Sequence, residues 1–215
     1  MGEEQRGLTA CRDQPPAVDF GNIEGLKTME ITQTLAAVNR AAWRQWLKKN
    51  YKTRKEIWLI YYRKSSGKPR IAYNDAVEEA LCFGWIDSNI KSLDEDRFAQ
   101  RFSPRKPKAA YSPANRERLR KLIDNGKVVK DVLAGLDVPP TGRFVVPKDI
   151  AEAIKQNKEA WANFRRFSPA YKRIRIGFID GARKRPAEFR KRLDYFIKMT
   201  AKNKQFGFGG IEKYY

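Results

Sequence analysis

Apolar residues first settle into a helical rhythm near residue 40. Ala42, Trp43, Trp46 and Leu47 recur at three- and four-residue spacing, and Asn39 stands where a helix N-cap belongs. The rhythm then changes. Glu56–Arg63 is β-branched and aromatic and reads as a strand, ended by the turn chemistry of Ser66-Gly67-Lys68-Pro69. Asn74–Phe83 returns to helical spacing with Ala76, Val77, Ala80 and Leu81 on one face, and Gly84 takes the left-handed position that closes a helix. Trp85–Lys91 and Arg97–Phe102 both alternate, with Asp94-Glu95-Asp96 between them, which predicts an antiparallel hairpin. In its first strand Ile86, Ser88 and Ile90 oppose Trp85, Asp87 and Asn89; in its second Phe98, Gln100 and Phe102 oppose Arg97, Ala99 and Arg101.

Beyond residue 104 the helical period dominates. Ser112-Pro113 starts a helix that carries Leu119, Leu122 and Ile123 and stops at Gly126, and a short helix follows near 128–136. Pro139-Pro140 cannot continue a helix, so 139–147 reads as an extended linker. Four apolar stripes then follow: Ile150, Ala153 and Ile154; Ala160, Trp161 and Phe164; Tyr171, Ile174, Phe178 and Ile179 after Ser168-Pro169; and Phe189, Leu193, Phe196 and Ile197. The expected class is α+β. A small antiparallel sheet of about three strands packs with helices over 30–138, and an all-α module follows over 148–204. Residues 1–29 lack periodicity and are expected to form a disordered tail, with Met29 as the possible start of the folded part; 205–215 is expected to be a loose tail.

Composition narrows the chemistry. The chain of 215 residues contains no histidine and two cysteines. Ser-His and Cys-His nucleophilic pairs, zincin sites and imidazole pH switches are therefore excluded. Cys11 sits in the polar tail and Cys82 in an apolar helix, so a disulfide-rich scaffold is excluded and Cys82 is expected to be an inert buried thiol. No cofactor or metal site is expected. Apolar runs reach only about five residues, well short of a bilayer span, and no apolar leader is visible, so a soluble, cytoplasmic protein is expected. The net charge is +20, of which 18 units lie after residue 100.

Two groups of residues carry candidate chemistry. Asp87 and Trp85 share a strand face, with Arg101 on the neighbouring strand and Tyr73 just before the preceding helix. These four form either a small-ligand pocket or an ion pair that fixes the hairpin register. Glu78 and Glu79 are expected on a solvated helix face. The second group is basic: Arg105, Lys106, Arg116, Arg120, Arg183, Lys184, Arg185, Arg190 and Arg192. Such density suits an anionic macromolecule, whether a protein or a lipid headgroup; nucleic acid is a further option, although no nucleic-acid motif is present. No catalytic residue is assigned.

The stretch 72–105, with Ala80-Leu-Cys-Phe-Gly-Trp-Ile-Asp87 at its centre, resembles the YdeI or OmpD-associated family, also labelled bacteriocin-protection. Trp43–Leu47, Ile57–Lys64, and Asn115-Arg116 with Leu122-Ile123 resemble it in the same order. Val146–Gly207 looks like the family's OmdA-like C-terminal helical domain, through Pro147–Ile150, Phe167–Tyr171 and Arg192-Leu193. Tyr111 stands where the family usually shows tryptophan, and Glu188-Phe189 where it usually shows Thr-Arg. The resemblance implies a non-catalytic factor in envelope stress, protecting against bacteriocins or antimicrobial peptides, with a porin-related link. An enzyme or small-ligand binder using an Asp87–Arg101 pocket, and a nonspecific nucleic-acid binder, are the alternatives.

Overall fold

The computed structural model describes residues 30–106, 109–136 and 144–207. The expected tail 1–29, most of the linker, the end of the second tail, and Cys11 lie outside these. The described elements follow the hydrophobic pattern closely. Helix α1 (Arg40–Asn50) starts where the Asn39 side chain accepts from the Ala42 N–H at 2.9 Å. Strand β2 (Ile57–Tyr62), helix α2 (Tyr73–Cys82), and strands β3 (Trp85–Ser92) and β4 (Arg97–Pro104) come next. Gly84 turns α2 into β3 at φ +72°, a conformation that costs a glycine nothing. Helices α3 (Pro113–Asp124) and α7 (Pro169–Asp180) are both capped by the serine before their first proline. Helices α4 (Lys130–Ala134), α5 (Lys148–Lys155), α6 (Lys158–Arg166) and α8 (Pro186–Ala201) complete the set.

The fold is α+β, with a sheet of four strands rather than about three. The additional strand is β1 (Thr34–Leu35), which runs parallel to β2 and gives the order β1-β2-β4-β3. Two residues are too few to show a period, so this pairing left no mark in the hydrophobic pattern. Ile57, Leu59 and Tyr61 of β2 point with Phe102 into a core filled by Trp43, Leu47, Val77, Leu81, Trp85, Leu119 and Leu122. Indole donors in this core are satisfied by backbone carbonyls: Trp43 Nε1 donates to Ala76 and Trp85 Nε1 to Tyr51.

Glu79 corrects one expectation. It is 2% exposed instead of solvated. Arg40 and Arg44 lie one turn apart on α1 and reach it at 2.5 and 2.6 Å, so a carboxylate on the inner edge of α2 is neutralised twice.

A second core gathers Ile150, Ile154, Phe164, Tyr171, Ile176, Ile179, Leu193 and Phe196 from α5 to α8. Its helix α7 packs on α3 of the first core. Glu117, only 4% exposed, sits at that contact. It accepts from Arg173 Nε and Nη2 of α7 at 2.8 and 2.7 Å, and from Arg120 of its own helix. Beside it the backbones close in. A Cβ on Gly177 would lie 2.9 Å from Pro113 Cγ and 3.1 Å from its Cβ. A proline ring held at the first turn of α3 cannot swing aside. Gly177→Ala should therefore lose about 1–3 kcal/mol to overpacking, which exceeds the ~1 kcal/mol gained in helix propensity. Glu117→Gln should cost roughly 2–3 kcal/mol, a value discounted for the solvent-exposed part of Arg173. Denaturant unfolding measures both, and a stabilised Gly177→Ala would show that α7 slides freely on α3.

Candidate functional site

The four residues of the expected pocket are not all brought together. Directly opposed residues in an antiparallel pair share a face, and Asp87 opposes Phe102. Asp87 therefore lies with Phe102 and its diagonal neighbour Gln100 on the core side. Arg101 projects from the other face, where Nε and Nη2 donate to Glu56 at 2.7 and 2.6 Å. The Thr32 hydroxyl and Arg101 hold the Glu56 carboxyl below its ordinary range. An Asp87–Arg101 pair is thus ruled out by the pleat. Trp85 is buried in the first core.

Asp87 takes other partners. The Tyr73 hydroxyl and Gln100 Nε2 both donate to Oδ2, at 2.9 and 2.8 Å. Burial pushes the carboxyl upward from its ordinary value despite these bonds. Burial also raises Tyr73, with the Asp87 charge adding to it. The Tyr61 hydroxyl, on a residue 2% exposed, has no hydrogen-bond partner and is raised by burial and by the Asp87 and Tyr73 charges. A one-residue shift in register then separates Asp87 from Ile90, which opposes Gln100. This bulge moves Ile90 to the Asp87 side, where strict alternation had placed it with Ile86. Gln100 and Tyr61 were missed by sequence reasoning, although a glutamine on the same face as Phe98 and Phe102 is a visible signal of a buried polar contact.

The basic residues divide into two sets. Arg105 stacks on Tyr111 at 3.8 Å and donates to the carbonyls of Ala109 and Ala110. Arg120 is held by Glu117. Arg183 bridges Asp149 and Asp180, and Arg192 binds Glu188 and the Phe178 carbonyl while covering the Phe178 ring. Lys106, Arg116, Lys184, Arg185 and Arg190 are exposed, and their side chains make no hydrogen bond or ion pair among the described residues. Three of these flank or open α8. The exposed side of that helix reads Arg190, Lys191, Asp194, Tyr195 and Lys198, a stripe at helical spacing with Tyr195 49% exposed at its middle.

Residues 143–203 match the family described as bacteriocin-protection, YdeI or OmpD-associated. The C-terminal helices are therefore similar to the OmdA domain of that family. Residues 35–135, including the 72–105 stretch, match a domain of unknown function (DUF8412). No curated protein and no solved structure matches the chain. The segment matching the OmdA model contains α5 to α8, and with them the α8 stripe; the Asp87 cluster belongs to the other matched region. No group of histidine, cysteine, aspartate and glutamate among the described residues could hold a metal ion. Cys82 is buried, and burial raises its thiol to about 11.

The Asp87 cluster makes a pH-dependent contribution. Its folded-state pKa lies above the unfolded value, so the folded protein holds that proton more tightly. This contribution favours folding below the ordinary aspartate range and is lost as pH rises through the elevated value. Asp87→Asn keeps an oxygen for Tyr73 and Gln100 but removes the charge. Its melting temperature relative to wild type should rise from acidic to neutral pH, and a pH-independent difference would show that Asp87 ionises without cost.

Proposed function

We propose that the protein is a non-catalytic protection factor that docks on an anionic lipid surface through the outward stripe of α8 in its OmdA-like segment. The observation that supports this most directly is the unequal use of cations. Lys184, Arg185, Arg190, Lys191 and Lys198 remain in solvent around one helix, and Asp194 is the only acid within the stripe. Each cation near an anionic bilayer contributes about 1 kcal/mol, screened by salt. Tyr195, at the middle of the stripe, has the amphipathic ring that suits a headgroup boundary. No described helix is long and apolar enough to cross a membrane, so docking is peripheral. The protective role follows the printed description of the matched family. A cytoplasmic location belongs to the same reading, with the docking surface then an inner leaflet.

The structure chooses the residues for the test. Arg183 clamps Asp149 and Asp180, so reversing it would damage the fold rather than the surface. Reversing Lys184, Arg185, Arg190 and Lys191 to glutamate leaves the described ion pairs intact. The quadruple variant should keep its melting temperature and lose at least about a hundredfold in partitioning to phosphatidylglycerol vesicles. Wild type should bind those vesicles with steep salt dependence and ignore phosphatidylcholine. Equal binding by wild type and the variant would refute the assignment. Retarded duplex DNA together with no vesicle binding would replace it with the nucleic-acid reading.

A further inference from the structure

The chain does not leave the protein where α8 ends. Asn203 takes the left-handed conformation at φ +53°. The Lys204 N–H donates to the Met199 carbonyl at 3.0 Å, and the Asn203 N–H to that of Thr200 at 2.9 Å. This pair of bonds is the Schellman reversal at a helix end. Phe206 shows where the reversed backbone goes. Its ring meets that of Tyr195 edge-on with centroids 4.9 Å apart, although Tyr195 lies about 9 Å back along the helix axis from Ala201. The Phe206 N–H donates to the Tyr171 hydroxyl at 3.1 Å, and the Arg175 guanidinium covers the ring at 4.0 Å. The segment is therefore held against α8 and heads toward Arg190.

This return brings apolar chemistry to a surface that has little of it. Around α8 the groups in solvent are Lys184, Arg185, Arg190, Lys191 and Lys198, with Tyr195 the aromatic ring among them. Cations alone bind a bilayer weakly and lose that binding to salt, whereas stable peripheral binding takes an apolar signal beside the polybasic one. Residues 206–215 read Phe-Gly-Phe-Gly-Gly-Ile-Glu-Lys-Tyr-Tyr. The charges of Glu212 and Lys213 cancel, so an anionic surface does not attract the run through its side chains. What it offers is Phe208, Ile211, Tyr214 and Tyr215, side chains that favour the headgroup boundary and the acyl region beneath it. Phe206 fixes the start of this run beside the middle of the cationic stripe.

We propose that residues 206–215 are the apolar half of the docking site. With α8 on an anionic bilayer, Phe208, Ile211, Tyr214 and Tyr215 enter the boundary between headgroups and acyl chains while the α8 cations meet the phosphates. The proposal rests on the reading of α8 as the docking helix, and it adds what holds the protein on the bilayer once salt screens the cations.

The test uses the full chain on phosphatidylglycerol vesicles. Phe208→Ser, Ile211→Ser, Tyr214→Ser and Tyr215→Ser together change no charge, and the melting temperature should not move. Partitioning should fall at least about tenfold, and the binding that wild type retains in about 0.5 M salt should vanish. A fluorophore on Tyr214→Cys, in a Cys11→Ser chain whose remaining thiol Cys82 is buried, should shift to the blue on these vesicles and be quenched by lipids that carry a quencher high on the acyl chain. Equal or tighter binding by the serine variant, or a label that stays in water on bound protein, would overturn the inference and leave the α8 assignment standing. A wild type that ignores these vesicles would overturn both.

Discussion

Two buried carboxylates hold this strongly basic protein together. Glu79 joins α2 to α1 by accepting from Arg40 and Arg44, and Glu117 joins α3 to α7 by accepting from Arg120 and Arg173. With 45 cationic against 25 anionic side chains, acids are the scarce partner. Each of these two is shared between two arginines and kept from water. The planar guanidinium makes this possible, because it presents several donors in a fixed fork and is less strongly hydrated than an ammonium. The ion pairs at these carboxylates accordingly use arginine, whereas Lys52 pairs with Asp131 on the surface.

That division of labour shapes the surface. Arg105, Arg120, Arg183 and Arg192 belong to a dense basic stretch of the sequence, but in the fold they are structural, bonded to carboxylates, carbonyls or aromatic faces. The cations left in solvent around α8 are those whose helical positions face away from Leu193 and Phe196. A net charge therefore overstates the number of groups ready for a partner, and the helix period identifies those that remain.

The sheet makes a parallel point about the polar cluster. Pleat geometry sends Arg101 to Glu56 and turns Asp87 toward Tyr73 and Gln100. Burial then raises the Asp87 carboxyl, a cost borne by a face that also holds the unpartnered Tyr61 hydroxyl. Arg118 nearby is bonded only to amide oxygens. The first core thus concentrates polar groups whose hydrogen-bonding capacity is incompletely used, beside the end of a helix that lacks a side-chain cap. Arg175 on α7 and Thr200 on α8 are the buried polar groups of the described C-terminal helices.

The sequence by itself determined the local elements. Caps such as Asn39, Ser112 and Ser168, the Gly84 turn, and the helical and alternating periods placed α2, α3 and β2 to β4 to within about two residues and marked where the other helices lie, since each is set by interactions within a few positions. The similarity of the C-terminal helices to that family was legible too, from short strings of residues. Tertiary structure alone decided which polar groups meet. Glu79 was read as solvated because its two arginines are more than thirty residues away, β1 was invisible because two residues show no period, and Asp87 was given the wrong partner because adjacent strand residues point to opposite faces. Arg118, an unremarkable member of a basic run, became a buried cation only when α3 packed on α2. Periodicity records which side of an element is apolar; the pairing of charges across elements depends on register and packing, which no local pattern contains.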